Sequence, residues 1–141
     1  MERFTLLDHP ADIGFLAFGR TLEEMFANAA LALMACGFDL DTIEPREPVA
    51  LRATGTDREA LLYNWLAEIL YLSDAEGWVF SAVEVSSLSE GPPLRVEGIG
   101  RGDRFNKSRH RARTYIKAVT YHQLSIEQKD GLWQARVFLD V

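Results

Sequence analysis

The stretch that decides what fold to expect is the C-terminal segment, residues 124–141, with the sequence LSIEQKDGLWQARVFLDV. Asp130-Gly131 stands between two runs of alternating apolar and polar residues, and this dipeptide strongly favours a two-residue β-hairpin turn. Side chains of a strand alternate between its two faces, so Val137 and Leu139 share one face and Asp140 points to the other. The segment therefore predicts two antiparallel strands, with Asp140 near the end of the second.

The N-terminal part predicts two more strands and a helix. Residues 4–7 and 13–18 are apolar on both alternating faces, which favours buried strands. Residues 8–12 are expected to connect them, because Pro10 has no N–H to donate to a sheet. Thr21 and Glu24 form a capping box, which predicts an amphipathic helix that ends near Gly37.

A second helix is predicted in the middle of the chain, after a polar loop over 38–48 and a short strand over 49–54. Thr56 and Glu59 resemble a second capping box. The apolar positions that follow have helical spacing, up to a stop at Glu76-Gly77: Leu61, Leu62, Trp65, Leu66, Ile69, Leu70 and Leu72. Because this apolar stripe is wide and contains Trp65, we expect this helix to be the central helix of the core.

The remaining sequence predicts strands over 78–85, 94–99 and 116–121, with an exposed loop before the last of them. The total is two helices and seven or eight strands, without repeats or a linker that would divide the chain. We therefore predict one α+β domain over residues 1–141, in which antiparallel or mixed β-sheet packs against two amphipathic helices.

Composition narrows the protein class. The 141 residues are 48% hydrophobic and 26% charged, which is typical of a globular domain with a real core. No run approaches the ~18 apolar residues of a membrane-spanning helix, and the N-terminus lacks a signal-peptide pattern. We expect a cytoplasmic protein without a membrane partner. The single cysteine, Cys36, lies within an apolar helical pattern and is expected to pack in the core.

The net charge of −6 conceals an uneven distribution. Residues 101–117 hold seven of the fifteen Lys and Arg residues and one acid, a charge of about +6, whereas the rest has eight basic and twenty acidic residues, or −12. Arg side chains in this basic segment match phosphate oxygens, and Phe105, His110 and Tyr115 could stack on RNA bases. The acidic remainder repels nucleic acid, so contact with a protein partner is the favoured interpretation and DNA binding is not expected. The candidate contact residues are Arg104, Lys107, Arg109, Arg111 and Arg113.

Motifs of several common enzyme classes are missing. The chain has no P-loop, no glycine-rich dinucleotide fingerprint, no G-x-S-x-G elbow and no zinc-type Cys/His spacing, which disfavours a self-sufficient enzyme of those classes. A metal-dependent hydrolase that uses Asp12 and Asp140 to activate water is a further alternative, for which His9 and His122 are the candidate bases.

Four blocks of sequence together resemble the archease family. They are HPADIGF at 9–15, LLYNWLAEILY at 61–71, IKAVTYH at 116–122 and the final Asp140-Val141, in the family's order. The resemblance implies an archease-like fold and an accessory role toward an RtcB-type RNA ligase, which joins RNA ends in tRNA splicing and RNA repair. Such a factor promotes guanylylation of the ligase and its repeated turnover, and meets RNA only through the ligase. Pro10 and Ala67 depart from the family pattern, which commonly has threonine and asparagine there.

The resemblance also implies a divalent cation, usually calcium, bound by Asp12, Asp140 and Val141, the last through its backbone oxygen or terminal carboxylate. Hard cations prefer such oxygen ligands, and calcium, magnesium and manganese all accept them. His9, Lys117 and His122 are candidates for supporting positions around this site. A turn histidine is the simpler interpretation of His9, whereas for Lys117 we favour an ion pair near the metal over simple solvation.

Besides the hydrolase, a second alternative to this ligase-factor hypothesis stays open. The protein could be an RNA-binding or tRNA-modification chaperone that acts through residues 101–117, with a purely structural metal.

Overall fold

The structure is a computed structural model that describes residues 1–8 and 13–141. The predicted connection at 9–12 lies outside those residues. Two α-helices, one short 3-10 helix and eight strands are found in the described part of the chain. In order they are β1 (Phe4–Asp8), β2 (Ile13–Gly19), α1 (Leu22–Gly37), the 3-10 helix (Leu40–Thr42), β3 (Glu47–Gly55), α2 (Arg58–Glu76), β4 (Trp78–Ser89), β5 (Leu94–Arg104), β6 (Ala118–Val119), β7 (Ser125–Lys129) and β8 (Leu132–Asp140).

The strands form two sheets, and every strand pairing in the described residues is antiparallel. The larger sheet has the order β1-β2-β8-β6, and β7 also pairs with β8; the smaller has the order β3-β5-β4. Both helices contact strands of both sheets and enclose one core with them. The predicted α+β class is confirmed, and no described helix is long and apolar enough to cross a membrane.

The hairpin and the first helix cap follow the prediction closely. Asp130 and Gly131 both have positive φ values, 54° and 75°, as a primed turn requires. At the start of α1 the Thr21 hydroxyl accepts the N–H of Glu24 at 3.1 Å, and the Glu24 carboxylate accepts the N–H of Arg20 at 2.9 Å. Local sequence therefore determines both features.

The prediction of the central helix is wrong. From residue 29 to 37, α1 is buried on all sides, whereas α2 buries one stripe around Trp65 and leaves the rest partly or fully exposed. Small side chains such as Ala29, Ala30 and Ala32 explain this, since they let neighbouring backbones approach the helix from every direction. The apolar stripe of α2 itself is confirmed.

Several predicted boundaries are also corrected. The predicted capping box of Thr56 and Glu59 is wrong, since the N-cap of α2 is Asp57, one residue later, whose carboxylate accepts the N–H of Ala60 at 2.8 Å. The loop predicted for 38–48 contains the 3-10 helix and the first residues of β3. Pro48 is tolerated there because β3 is an edge strand of its sheet, which pairs with β5 alone among the described strands. β1 is likewise an edge strand, which leaves Leu6 38% exposed instead of buried.

The basic segment does not begin as a loop. Its first four residues, 101–104, extend β5, which pairs with β3 and β4 through this region. The strand predicted over 116–121 is reduced to Ala118–Val119, because a turn at Tyr121, whose carbonyl accepts the N–H of Leu124 at 3.1 Å, interrupts the pairing with β8.

Candidate metal centre

The register of two neighbouring strands places the candidate site. Ile13 at the start of β2 pairs with Leu139 near the end of β8. Asp12 precedes Ile13 in the sequence, and Asp140 follows Leu139. Asp12 and His9 lie outside the described residues, so their predicted roles stay predictions. The structure thus brings together the strand ends next to the two acids.

Asp140 is the last residue of β8, and its side chain is exposed. Leu139 is only 1% exposed, which confirms that Asp140 points away from the Val137 and Leu139 side. The carbonyl oxygen of Asp140 accepts a 2.8 Å hydrogen bond from the N–H of Lys117. Val141, the next residue, is 45% exposed. Oxygen donors at this strand end are therefore accessible to a ligand.

Lys117 does not share a regular strand face with Tyr115, Val119 and Tyr121. Val119 is buried, while both tyrosines and Lys117 are exposed, because only two residues of the segment are in strand geometry. The ion pair predicted for the Lys117 ammonium near a metal stays a prediction.

His122 is exposed and lies beside the Asp140 face of β8. Its ring centroid is 6.0 Å from that of Phe138, two residues before Asp140 and therefore on the same strand face. Its backbone N–H donates to the Thr120 hydroxyl at 3.2 Å. The imidazole is thus near the candidate site, and its supporting role there is not tested by these contacts.

Within residues 1–8 and 13–141, no three histidine, cysteine or acidic side chains converge as a cation site. The predicted ligand set depends on Asp12. The chemistry of the donors fits a hard cation, since Asp12 and Asp140 would supply carboxylates and Val141 a main-chain oxygen.

A cavity of about 280 Å³ lies next to the start of β2, lined by Ile13, Gly14, Cys36 and Arg113 among others. The N–H of Arg113 donates to the carbonyl of Gly37 at 2.7 Å, which satisfies one of the free carbonyl groups at the end of α1. Its guanidinium is 3.5 Å from the carbonyl of Ala35. Arg113, one of the candidate residues for contact with a protein partner or RNA, thus lies in the same cavity wall as Ile13.

Cys36 lies in the wall of this cavity and is 7% exposed. Burial raises the pKa of its thiol to about 12, although the charge of Arg113 opposes that shift. The thiol is therefore protonated at neutral pH, and its predicted role in core packing is confirmed.

The other basic residues do not form one free patch. The guanidinium carbon of Arg104 lies 4.6 Å from the ring centroid of Trp78, and Arg109 forms a 3.0 Å ion pair with Asp103. Lys107 and Arg111 are exposed, and the N–H of Arg111 donates to the Thr42 hydroxyl at 3.1 Å. The segment is thus tied to the body of the protein by several of its own basic residues.

His110, predicted as a base-stacking residue, is buried, so that prediction is wrong. Its side chain is 1% exposed, its Nδ1 accepts the N–H of Asn106 at 2.9 Å, and its Nε2 lies 3.7 Å from Asp103 Oδ2. Thr42 and Arg46, far earlier in the chain, line a cavity together with His110, so the sequence next to this histidine does not mark it as structural.

Asp103 organises this end of the basic segment. Burial favours a higher pKa for its carboxyl. Hydrogen bonds from the N–H of Arg104 and the guanidinium of Arg109, together with the charges of Arg109 and Arg46, outweigh burial and hold the pKa below its usual value. The carboxyl of Asp103 is therefore ionised at neutral pH in the folded protein.

Comparison with known proteins gives consistent matches along the chain. The model of the Archease protein family (MTH1598/TM1083) matches residues 4–141. Protein archease of Methanothermobacter thermautotrophicus is 40% identical, with all of both chains covered. Protein archease of Methanopyrus kandleri is 38% identical over 96% of each chain.

Two solved structures share the fold. The solution structure of Methanobacterium thermoautotrophicum protein 1598 superposes with a TM-score of 0.85 at 37% identity, over all of both chains. The crystal structure of an archease from Thermotoga maritima, described as a possible chaperone, superposes with a TM-score of 0.60 at 22% identity, over 96% of this chain and 94% of that one. The family match over residues 4–141 and the full-length relatives show that this chain belongs to the archease family.

Proposed function

We propose that the protein is a cation-binding accessory factor that promotes the guanylylation and repeated turnover of an RtcB-type RNA ligase. The observation that carries the proposal is the pairing of Ile13 with Leu139, since these residues are the sequence neighbours of Asp12 and Asp140. The chain belongs to the archease family, and the resemblance to that family implies the same ligand pair. The protein acts on the ligase and does not itself join RNA.

The chemistry of the site supports a divalent cation, with calcium as the leading candidate. Asp12, Asp140 and the main-chain oxygen of Val141 would hold the ion, and two neighbouring carboxylates without a cation would repel each other. A bound cation supplies positive charge next to phosphate oxygens, which is what nucleotide transfer to a ligase requires. The exposure of Asp140 and Val141 lets a partner reach that end of β8.

An accessory role also agrees with the description of one protein of the same fold. The Thermotoga maritima protein of the same fold is described as a possible chaperone, that is, a protein that acts on another protein. We propose that here the protein acted on is the ligase.

The test is guanylylation of the full-length ligase, measured with labelled GTP, in the absence and presence of this protein. The wild type is expected to accelerate guanylylation, whereas Asp12→Asn and Asp140→Asn leave the ligase near its unassisted rate. Glu127→Gln removes an exposed acid from β7 and is the matched control, expected to stimulate like the wild type. Full stimulation by both aspartate variants would overturn the proposal. Phosphoester hydrolysis by the purified protein alone would instead favour a hydrolase.

The alternative, an RNA-binding or tRNA-modification chaperone acting through residues 101–117, has less support from the contacts. Arg109 is paired with Asp103, and Arg113 covers the end of α1, so both guanidinium groups already have partners within the chain. Its test is the salt dependence of RNA affinity, compared between the wild type and the Arg109→Ala, Arg111→Ala, Arg113→Ala triple variant. A weaker affinity and a shallower salt dependence in the variant would favour this alternative.

A further inference from the structure

Three tyrosines along α2 and the 115–121 segment are more than half exposed. Tyr71, Tyr115 and Tyr121 have exposed fractions of 59%, 67% and 55%, although an aromatic ring favours burial. Neither the fold nor the proposed metal site explains this exposure. Exposed apolar surface that is concentrated in one region often marks an interaction site.

Contacts place these tyrosines along one side of the molecule. The ring of Tyr121 stacks on that of Tyr63 in α2, with centroids 4.2 Å apart and planes within 12°. Tyr115 lines a mostly apolar cavity of about 190 Å³ together with Leu70 and Asp74 of α2. Tyr71 lies three residues before Asp74, one helical turn away. The segment 115–121 therefore follows the exposed side of α2, and we call this region the tyrosine surface.

The tyrosine surface continues to the candidate metal centre. Lys117, between Tyr115 and Tyr121, donates its N–H to the carbonyl of Asp140, and the next residue, Ala118, pairs with Asp140 in the sheet. A partner that receives the Asp140 end of the molecule therefore meets this surface as well.

The charge on this surface identifies the kind of partner. From Asp57 to Glu76 the chain has five acids and one basic residue, Arg58, whose guanidinium is paired with Glu90 at 2.7 Å. Arg113, which lines the cavity together with Asp74, and Lys117 of the 115–121 segment offset only part of this negative charge. Partial burial against Tyr63, with the charges of Tyr63 and Asp57, raises the pKa of the Tyr121 hydroxyl, which keeps that hydroxyl neutral. Acidic side chains among the tyrosines repel RNA phosphates, which disfavours RNA as the partner. The same side chains complement a basic protein surface.

We propose that the tyrosine surface is the docking site for the RNA ligase, binding a basic region of the ligase beside its active site. This inference rests on the proposed function. Tyrosine is enriched in interface cores, and an RNA-binding enzyme offers the basic surface that the acids of α2 require.

The experiment measures binding of the full chain to the full-length ligase by biolayer interferometry. The Tyr71→Ala, Tyr115→Ala double variant is expected to bind about 10- to 100-fold more weakly, as for the loss of interface hot spots. Both side chains are mostly exposed, so thermal unfolding is expected to stay near that of the wild type.

A pair of charge-reversal variants gives a matched control. Asp74→Lys is expected to weaken binding several-fold at low salt, and less at high salt. Glu84→Lys makes the same change of charge at an exposed position of the three-stranded sheet and is expected to bind like the wild type.

The outcomes separate the docking site from the proposed function. Wild-type affinity of the tyrosine variant, while the wild type binds and stimulates the ligase, would overturn the docking site alone. Loss of binding to a single-stranded oligoribonucleotide, with ligase binding unchanged, would assign the surface to RNA and overturn the proposal. A wild type that neither binds nor stimulates the ligase would overturn both.

Discussion

The N–H of Lys117 and the carbonyl oxygen of Asp140 are joined by a 2.8 Å hydrogen bond, which fastens the edge of the larger sheet to the end of its strand β8. This bond keeps the backbone of Lys117 beside Asp140 whatever its side chain does. The attachment point of a positive side chain is therefore held near the acid that we propose to bind a cation.

Lys117→Gln is expected to tighten cation binding. A unit charge and a divalent ion about 8 Å apart in water repel each other by about 1 kcal/mol, so removal of the ammonium should raise calcium affinity about 2- to 5-fold at low salt. Calorimetric titration checks this. Lys129→Gln on β7 is the control, and the expectation fails if the two variants have equal affinity.

Asp103→Asn is expected to destabilise the protein near neutral pH and to change its acid sensitivity. The folded-state pKa of Asp103 is lowered, so its stabilising contribution is present above the unfolded pKa of about 4 and is lost as the pH falls through the folded value. Urea unfolding at several pH values should give a constant difference between wild type and variant above about pH 5, and a shrinking one below about pH 4. If the difference in unfolding free energy between wild type and variant grows as the pH falls, the pKa of Asp103 is not lowered in the folded protein.

Trp65→Phe tests the core around α2. The indole Nε1 donates to the carbonyl of Phe26 at 3.0 Å, and the whole residue is inaccessible. Phenylalanine removes this hydrogen bond, leaves the Phe26 carbonyl with only its partner within the helix, and leaves a small void, so we expect a loss of about 1–3 kcal/mol in the free energy of unfolding. Trp78→Phe, at a partly exposed position, is expected to lower the free energy of unfolding by less. Equal losses would show that the buried hydrogen bond contributes little.

The features that could be predicted from the sequence depend on neighbouring residues. The turn at Asp130-Gly131 needs two positive φ values, and the start of α1 needs an oxygen at Thr21; both requirements are met within a few residues of chain. The alternation of Leu139 and Asp140 is equally local. These predictions hold because no distant contact competes with them.

The features that could not be predicted depend on distant contacts. His110 lines a cavity together with Thr42 and Arg46, which lie far earlier in the chain, and α1 is central because both sheets pack on its small residues. At the candidate site, the sequence predicted that Asp140 lies at the end of a strand and on which face its side chain lies. The position of Tyr121 could not be predicted, because it depends on stacking with Tyr63, which is distant in the sequence. The position of Asp12 relative to Asp140 is outside the described residues.

Calcium binding by Asp12 and Asp140 is tested most directly by calorimetric titration of the wild type, Asp12→Asn, Asp140→Asn and Glu127→Gln. We expect the wild type and Glu127→Gln to bind calcium with the same affinity. Each aspartate variant should bind about tenfold or more weakly, because a hard cation loses one of its charged oxygen ligands. Wild-type calcium affinity in both aspartate variants, or no calcium binding by the wild type, would contradict the proposed site.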